Sequence, residues 1–166
     1  MEIIADIPVR KTIHSRINEV DFAQLEFGKY ISDHMLVCDY ADGEWKQPHI
    51  VPYANLSLSP SALALHYGQT VFEGMKAFRM GPGPEGQSGR INIFRMEKHY
   101  DRFVKSLQRM CMAVPPKEVF MEGLMQLISL DEAWVPTQQG HALLLCKDFS
   151  KTPRGDSNSQ ASITTE

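Results

Sequence analysis

The sequence predicts an α+β fold in which two helices cover one face of an antiparallel sheet. A hairpin signal, Asp42–Gly43, lies between two short runs with strand character. Residues 70–80 and 90–94 alternate between apolar and polar side chains, as strands with one buried face do. From Met96 onward the apolar residues instead recur with the period of an amphipathic helix. A two-layer arrangement buries the apolar faces of both kinds of element.

Length, charge and cysteine content narrow the classes of protein to which this chain can belong. Its 166 residues are enough for one ordinary hydrophobic core. The formal net charge of −3, with acids and bases mixed along the chain, argues against a basic surface for nucleic acid or a membrane. The three cysteines lack C-x-x-C spacing, and no apolar run approaches the length of a membrane span. We therefore expect a cytoplasmic protein with reduced thiols.

The first part of the chain predicts an arm and a few short strands. Residues 1–20 carry mixed charge without clear periodicity, and we interpret them as an N-terminal arm laid over the body. Met35–Tyr40 has strand character, Asp42–Gly43 predicts the turn, and Trp45 begins the return strand. Prolines bracket residues 49–51, so we expect an edge strand or an extended connector there.

A short helical turn at Ser61–Leu65 leads into the longest predicted strand. Thr70–Met80 alternates as a strand, and Arg90–Phe94 alternates as its antiparallel partner. The segment Gly81–Gly86 between them is rich in glycine and proline and is expected to form a loop. It spells G-x-G-x-x-G, but no helix pattern begins at its third glycine. The dinucleotide-binding interpretation therefore lacks its required context.

Two helices are predicted after this strand pair. Apolar residues from Met96 to Val114 fall at helical spacing, with charged and polar residues on the opposite side. Pro115 and Pro116 end this helix and begin the next, whose apolar positions continue to about Ala133. Together the two helices cover one face of the sheet.

The most specific signal in the sequence lies at Leu65–Arg79 and Arg90–Arg95. These stretches contain His-Tyr-Gly, Val-Phe-Glu-Gly-Met-Lys-Ala-Phe and Ile-Phe-Arg, in that order. In them the chain resembles the branched-chain amino-acid aminotransferases, which are fold-type IV pyridoxal-phosphate enzymes. The resemblance runs from about Asp21 to about Pro136. It implies that residues 21–136 form the N-terminal domain of a fold-type IV aminotransferase.

The resemblance also implies an activity, a cofactor and partners. The activity is amino transfer between leucine, isoleucine or valine and 2-oxoglutarate, with pyridoxal phosphate as cofactor. The expected partners are therefore an amino acid and a 2-oxo acid, and the expected assembly is a homodimer. Two alternatives stay open. One is a non-catalytic interaction or dimerisation module, and the other is a different fold-type IV enzyme, such as a D-amino-acid aminotransferase or an aminodeoxychorismate lyase.

Arg95 is the candidate cofactor-binding residue. It directly follows a predicted strand and opens a predicted helix, where a guanidinium and free backbone N–H groups can both meet a phosphate dianion. By the resemblance it is the arginine that binds the cofactor phosphate. The alternative is an ordinary surface ion pair, which contributes little.

Tyr67 and Phe72 are the candidate substrate-binding residues. In the resembling family the matching positions face the substrate side chain, which suits a branched aliphatic substrate. The alternative for both aromatic rings is packing in the core. The neighbouring Glu73 is expected either to hold a turn or to be a solvated acid, and His66 is expected to make a structural hydrogen bond.

No catalytic residue and no metal site are predicted in this chain. Lys76 lies inside the strongest motif, but by the resemblance the lysine that binds the cofactor covalently lies far downstream, in a second domain. No other lysine here stands in the family's lysine motif. The six histidines are scattered without the spacing of metal ligands.

The resemblance ends after Pro136. The family continues with a strand whose tyrosine and arginine help to receive the substrate, whereas this chain has Leu144 and Cys146 at those positions. We expect residues 137–166 to be a segment outside the family, disordered at its end because it is dominated by small and polar residues. The sequence therefore predicts a transaminase truncated before the domain with the catalytic lysine, and inactive alone.

Overall fold

The computed structural model describes residues 7–26, 28–81, 89–138, 141–150 and 159–165. The strands are β1 (His34–Ala41), β2 (Glu44–Trp45), β3 (His49–Pro52), β4 (Thr70–Arg79), β5 (Ile91–Ile93), β6 (Leu143–Ser150) and β7 (Ser159–Thr165). They form one sheet in the order β2-β1-β7-β6-β4-β5, and β3 also pairs with β1. All of these strand pairs are antiparallel. The helices are α1 (Leu63–Tyr67), α2 (Met96–Arg109) and α3 (Lys117–Leu130), with short 3₁₀ turns at Ile17–Glu19 and Glu132–Trp134.

The predicted hairpin is confirmed at β1 and β2. Asp42 and Gly43 both have positive φ, 56° and 83°, which is the geometry that a two-residue hairpin turn requires. Tyr40 pairs with Trp45, and their rings meet edge-on with centroids 5.2 Å apart. The segment between the two prolines, predicted as an edge strand or connector, forms the strand β3. Its Ile50 exchanges two backbone hydrogen bonds of 2.9 Å with the arm at Pro8 and Arg10.

The predicted antiparallel pair is confirmed at β4 and β5, with Ala77 opposite Ile93 and Arg79 opposite Ile91. Side chains alternate along β4. Val71 and Met75 are buried toward the helices, whereas Phe72 on the other face is exposed. We call that other side of β4 the open face. Residues 82–88, which include most of the predicted glycine-rich loop, lie outside the described residues.

The helices α2 and α3 cover the opposite side of the sheet, which confirms the predicted α+β class. The core side chains of the helices pack with those of β4 and β6; the helix residues in this core are Phe103, Leu107, Phe120, Leu124, Leu127 and Ile128. Gly123 permits the close approach of α3 to β1, because a Cβ atom there would lie 2.5 Å from Cδ2 of Leu36. The helix α2 ends at Arg109, although helical spacing of apolar residues had been expected to continue to Val114. Cys111 adopts φ 54°, and the N–H of Met112 turns back to the carbonyl of Leu107 at 2.9 Å.

The segment after Pro136 differs from its expected structure. Disorder was expected at its end, but Ser159–Thr165 forms β7, which pairs with both β1 and β6. The strand β6 pairs along its whole length with β4, and its Leu143 and Leu145 are buried in the core. The amino-acid composition of residues 159–165 did not predict this strand. Its backbone groups pair with both neighbouring strands, and such pairing does not require apolar side chains. Residues 151–158 lie outside the described residues.

Among the helices that the structure describes, none is both long enough and apolar enough to cross a membrane.

Candidate functional site

The three predicted site residues lie on and beside β4. Tyr67 is the last residue of α1, Phe72 is the third residue of β4, and Arg95 precedes the first residue of α2. Ile93, two residues before Arg95, pairs with Ala77. The stretch of β4 from Phe72 to Ala77 measures about 16 Å at the usual rise of a strand. The fold therefore brings the end of β5 alongside the strand that carries Phe72.

Tyr67 and Phe72 are both exposed, with 82% and 60% of their surface accessible. Neither side chain packs in the core, so the core-packing alternative is wrong for both rings. Gly68 ends α1 in the left-handed conformation, with φ 61°, and so turns the chain from Tyr67 into β4. An assignment of the two rings to a substrate remains a prediction.

Phe72 lies against Gly74, the next residue on the same side of β4. A Cβ atom built on Gly74 would stand 3.3 and 3.4 Å from two carbons of the Phe72 ring, and 3.9 Å from a methyl group of Leu144. The φ of Gly74 is not positive, so its backbone does not require glycine. Its value lies in the space that it leaves for the ring. Phe72, Gly74 and Leu144 thus form a small apolar surface on the open face.

Arg95 has an unusual backbone, and its side chain has no hydrogen-bonding partner among the described residues. Its φ of 55° lies in the left-handed region, which is uncommon for a residue other than glycine and is often found at functional positions. Its carbonyl accepts the N–H groups of Lys98 at 2.9 Å and His99 at 3.3 Å. The guanidinium lies 5.5 Å from the centre of the Phe94 ring and makes no hydrogen bond or ion pair with any other residue that the structure describes.

The position of Arg95 fits an anionic group. The first N–H groups of α2 have no partner within the helix, and the positive end of the helix dipole favours a negative charge there. An exposed guanidinium beside such N–H groups can donate to a phosphate. The residues present therefore fit the phosphate of pyridoxal phosphate.

Glu73 is buried on the helix side of β4, with 3% of its surface accessible. Nε of Arg102 donates to its Oε2 at 2.8 Å, and Nη2 of Arg102 donates to its Oε1. Nδ1 of His99 donates to the same Oε1 at 3.0 Å. Burial alone raises the pKa of Glu73, but the hydrogen bonds from Arg102 and His99 outweigh it and hold the pKa below its usual value. The sequence had led us to expect that Glu73 would either hold a turn or be a solvated acid. Both expectations are wrong, because Glu73 is buried and bonded to Arg102 and His99.

Sequence reasoning missed this cluster of Glu73, His99 and Arg102. The residues lie 26 and 29 positions apart along the chain, so no local motif links them. The alternation of β4 gave a partial signal, because it groups Glu73 with Val71 and Met75 on one side of the strand, which the structure shows to be the buried side. An acid at such a position needs a partner. His99 and Arg102, three residues apart on one helix, are suited to supply it.

Other polar residues of the motif have structural partners. Nε2 of His66 lies 2.7 Å from the carbonyl oxygen of Pro60, which confirms the expected structural hydrogen bond. The Arg79 guanidinium donates to the carbonyls of Glu132 at 2.7 Å and Gly89 at 3.2 Å, and it pairs with the Glu132 carboxylate. Lys76 is exposed on the open face.

A second polar cluster ties the N-terminal arm to the body. The Thr12 N–H donates to Nε2 of His34 at 2.9 Å, so Nδ1 carries the proton and donates to the Asp131 carboxylate at 2.6 Å. Next to it, Asp33 accepts hydrogen bonds from the Ser15 hydroxyl and from the indole N–H of Trp134. The polar groups of this cluster form hydrogen bonds with one another, and we therefore assign them a structural role. Among the residues described, no three histidine, cysteine or acidic side chains are grouped as a metal site requires.

Comparison with known proteins gives one consistent likeness. The chain is 42% identical over 123 residues to branched-chain-amino-acid aminotransferase 2 of Bacillus subtilis, covering 74% of this chain and 32% of that protein. It is 39% identical over 146 residues to the branched-chain-amino-acid aminotransferase of Mycobacterium tuberculosis H37Rv, covering 83% of this chain and 38% of that protein. No protein-family model matches. The chain thus spans about a third of the length of these curated relatives.

Solved structures show the same fold. The branched-chain amino acid aminotransferase of Escherichia coli superposes with a TM-score of 0.55 at 19% identity, over 78% of this chain and 40% of that one. A fold IV transaminase from Curtobacterium pusillum gives a TM-score of 0.55 at 14% identity, over 81% of this chain and 43% of that one. At these identities the likeness supports the fold alone.

Proposed function

Because this chain is homologous to the branched-chain aminotransferases over about four fifths of its length, we propose that it acts within such an enzyme. The proposed reaction is amino transfer between a branched-chain amino acid and 2-oxoglutarate in the cytoplasm. Pyridoxal phosphate, when bound, supplies the electron sink for this chemistry. We assign residues 21–136 to the N-terminal aminotransferase-like domain, residues 1–20 to an arm and residues 137–166 to a segment outside the family likeness.

The observation that carries the proposal is the geometry of Arg95. Its guanidinium is exposed, makes no hydrogen bond or ion pair with the described residues, and stands at the N-terminal end of a 14-residue helix. In the proposed role Arg95 and the first N–H groups of α2 hold the cofactor phosphate and thereby orient the cofactor. The Arg95 guanidinium has no hydrogen bond or ion pair to a described residue that this ligand would have to break, which distinguishes it from the engaged Arg79 and Arg102.

The exposed aromatic rings form the second part of the proposal. Tyr67 and Phe72 contact the side chain of the amino-acid substrate and exclude water from it, which favours an aliphatic side chain through burial of apolar surface. Gly74 and Leu144 extend the same apolar surface. We propose no catalytic residue in this chain. The lysine that the chemistry requires is assigned by resemblance to a different motif, so Lys76 takes no part.

The phosphate role is testable with a cofactor analogue that cannot react with lysine. The intact chain is titrated with deoxypyridoxine phosphate, which has no aldehyde, and binding is followed by tryptophan fluorescence. We expect Arg95→Ala to weaken binding about 20-fold, which corresponds to the loss of charge-assisted hydrogen bonds. Lys98→Ala is the matched control, because Lys98 lies in the same helical turn and is paired with Asp101. Equal effects of both substitutions would mean that Arg95 contributes only to the overall positive charge of this region, and they would overturn the proposal.

A second assay tests whether this chain alone can catalyse amino transfer. Supplied with pyridoxal phosphate, leucine and 2-oxoglutarate, the chain is expected to turn over no faster than the cofactor alone. Turnover above that level would mean that the chain supplies the reactive lysine by itself. A homodimer, as implied by the family, is assayed in the same samples by analytical ultracentrifugation.

One observation favours a second candidate, a non-catalytic interaction module. Leu65, Tyr67 and Phe72, which lie within eight residues of one another along the chain, expose 63%, 82% and 60% of their surface, and exposed apolar side chains that form a patch often mark a contact with another protein. The two candidates differ in what binds. Binding of the phosphate analogue through Arg95 supports the enzyme, whereas stable association with a full-length aminotransferase and no analogue binding supports the module.

A further inference from the structure

We infer that Glu73 is a positioning residue, which acts through His99 and Arg102 to hold Arg95 in place relative to the strand that carries Phe72. This inference rests on the proposed function and concerns how its two ligand-binding parts are held together. Glu73 touches neither the cofactor nor the substrate, because it is buried on the helix side of β4.

Glu73 is held rigidly by its partners. A buried carboxylate is stable only when charged or hydrogen-bonded partners surround it. Arg102 binds both of its oxygens, and His99 binds one of them. A carboxylate held by a two-pronged guanidinium has little freedom to move. Glu73 therefore fixes the side of α2 that bears His99 and Arg102 against β4.

His99 connects Glu73 to Arg95. Its Nδ1 lies 3.0 Å from the Glu73 carboxylate, and its backbone N–H donates to the carbonyl of Arg95 at 3.3 Å. A single residue thus joins the buried carboxylate to the residue proposed to bind phosphate. The left-handed backbone of Arg95 is unfavourable on its own, so it depends on neighbours such as His99 that hold the first turn of α2.

Only the second half of α2 carries fully buried side chains. The buried side chains of this helix are Phe103 and Leu107, whereas Met96 and Tyr100 in its first half are only partly buried. Helix ends fray readily, and the bonds to Glu73 add to the restraint that the packing of Met96 and Tyr100 gives to this half of the helix. The cluster thus supplies a polar anchor at the end of the helix where Arg95 stands.

The position of Glu73 in β4 links the two parts of the proposed site. Phe72 precedes it and points to the open face, while Glu73 points to the helices. The same two residues of β4 therefore carry the proposed substrate contact and the anchor of the phosphate-binding helix. This arrangement sets the distance between the two parts of the site.

The test compares two ligands that differ only in the phosphate, deoxypyridoxine phosphate and deoxypyridoxine, on the intact chain. We expect Glu73→Gln to weaken binding of the phosphate ligand about fivefold while the phosphate-free ligand changes less than about twofold. Loss of a negative charge near the site would by itself strengthen phosphate binding. A weakening therefore reports displacement of Arg95 rather than a change in charge.

The matched control is Glu97→Gln, which removes the same charge from an exposed residue in the first turn of α2. We expect it to leave phosphate binding unchanged or slightly stronger. If Glu73→Gln behaves like this control, the inference is wrong. If Glu73→Gln lowers the affinity for both ligands equally, the residue serves general stability and the inference is also wrong.

Two further variants keep the outcome decisive. Arg102→Lys keeps the charge but loses the two-pronged contact, and the exposure of Arg102 makes it tolerable to the fold. We expect a loss of about twofold to threefold for the phosphate ligand only, and this variant decides the case if Glu73→Gln does not fold. Arg95→Ala separates the inference from the proposed function. If Arg95→Ala has no effect, the proposed function fails. If Arg95→Ala weakens binding but Glu73→Gln and Arg102→Lys both leave it unchanged, only the inference about Glu73 is overturned.

Discussion

The two faces of β4 carry opposite kinds of side-chain environment. On the helix face, Val71, Glu73 and Met75 expose 5%, 3% and 2% of their surface. On the open face, Phe72 exposes 60% and Gly74 leaves the strand bare beneath its ring. A single strand thus holds the core on one side and presents the proposed ligand-binding surface on the other. Stability and binding are therefore expected to be separable by substitutions only one residue apart.

The largest expected difference between the faces is in stability. Met75→Ala removes a buried side chain and leaves a cavity, so we expect the free energy of unfolding to fall by about 3 kcal/mol. Phe72→Ala removes a ring that is mostly in water and is expected to change it by less than about 1 kcal/mol. Urea unfolding followed by tryptophan fluorescence measures both, since Trp134 is buried. A cost for Phe72→Ala as large as that for Met75→Ala would mean that the open face is covered in solution.

Charge gives the next difference between the faces. Glu73→Gln is expected to lower the free energy of unfolding at neutral pH by about 2 kcal/mol, because it replaces charge-assisted hydrogen bonds by weaker ones. Lys76→Gln, which changes an exposed charge on the open face, is expected to cost less than about 0.5 kcal/mol. Similar costs at the two positions would contradict the assignment of Glu73 to a buried ion cluster.

The same variant has a pH signature. The pKa of Glu73 is lower in the folded chain than in the unfolded chain, since hydrogen bonds from Arg102 and His99 outweigh the effect of burial. Its contribution to stability is therefore fully present above the unfolded pKa, near 4.3, and is lost as the pH falls through the lower folded value. Asp33 has a lowered pKa for comparable reasons. The difference between wild type and Glu73→Gln isolates Glu73, and it should shrink below about pH 4.

The contrast between the faces also shows what the sequence could predict. Period-2 alternation located β4, and helical period located α2 and α3, because both depend on local side-chain spacing. The Asp42–Gly43 turn was predictable because its backbone requires positive φ. Partners were not predictable. Glu73 meets residues of a later helix, and β7 enters the sheet through backbone pairing with β1 and β6 that leaves no pattern in composition.

Within the candidate site, residue types were easier to predict than environments. The motif identified Tyr67, Phe72 and Arg95, but their exposure follows from the tertiary arrangement. An aromatic residue in an alternating strand is usually part of the core, and only the side of the sheet on which the helices pack decides otherwise. Alternation divides the residues of β4 into two sets but does not say which set faces the helices.

The smallest expected effect concerns Gly74, and it tests how the open face is built. Alanine at a strand position that does not need glycine is expected to stabilise the chain by up to about 1 kcal/mol, because it restricts the unfolded state. The new Cβ stands 3.3 Å from the Phe72 ring, so part of that gain is lost in moving the ring. Gly74→Ala is therefore expected to stabilise the Phe72→Ala background by a few tenths of a kcal/mol more than the wild type. Equal gains in both backgrounds would mean that the ring does not rest on Gly74, and that the open face has a different shape from the one proposed to bind an aliphatic side chain.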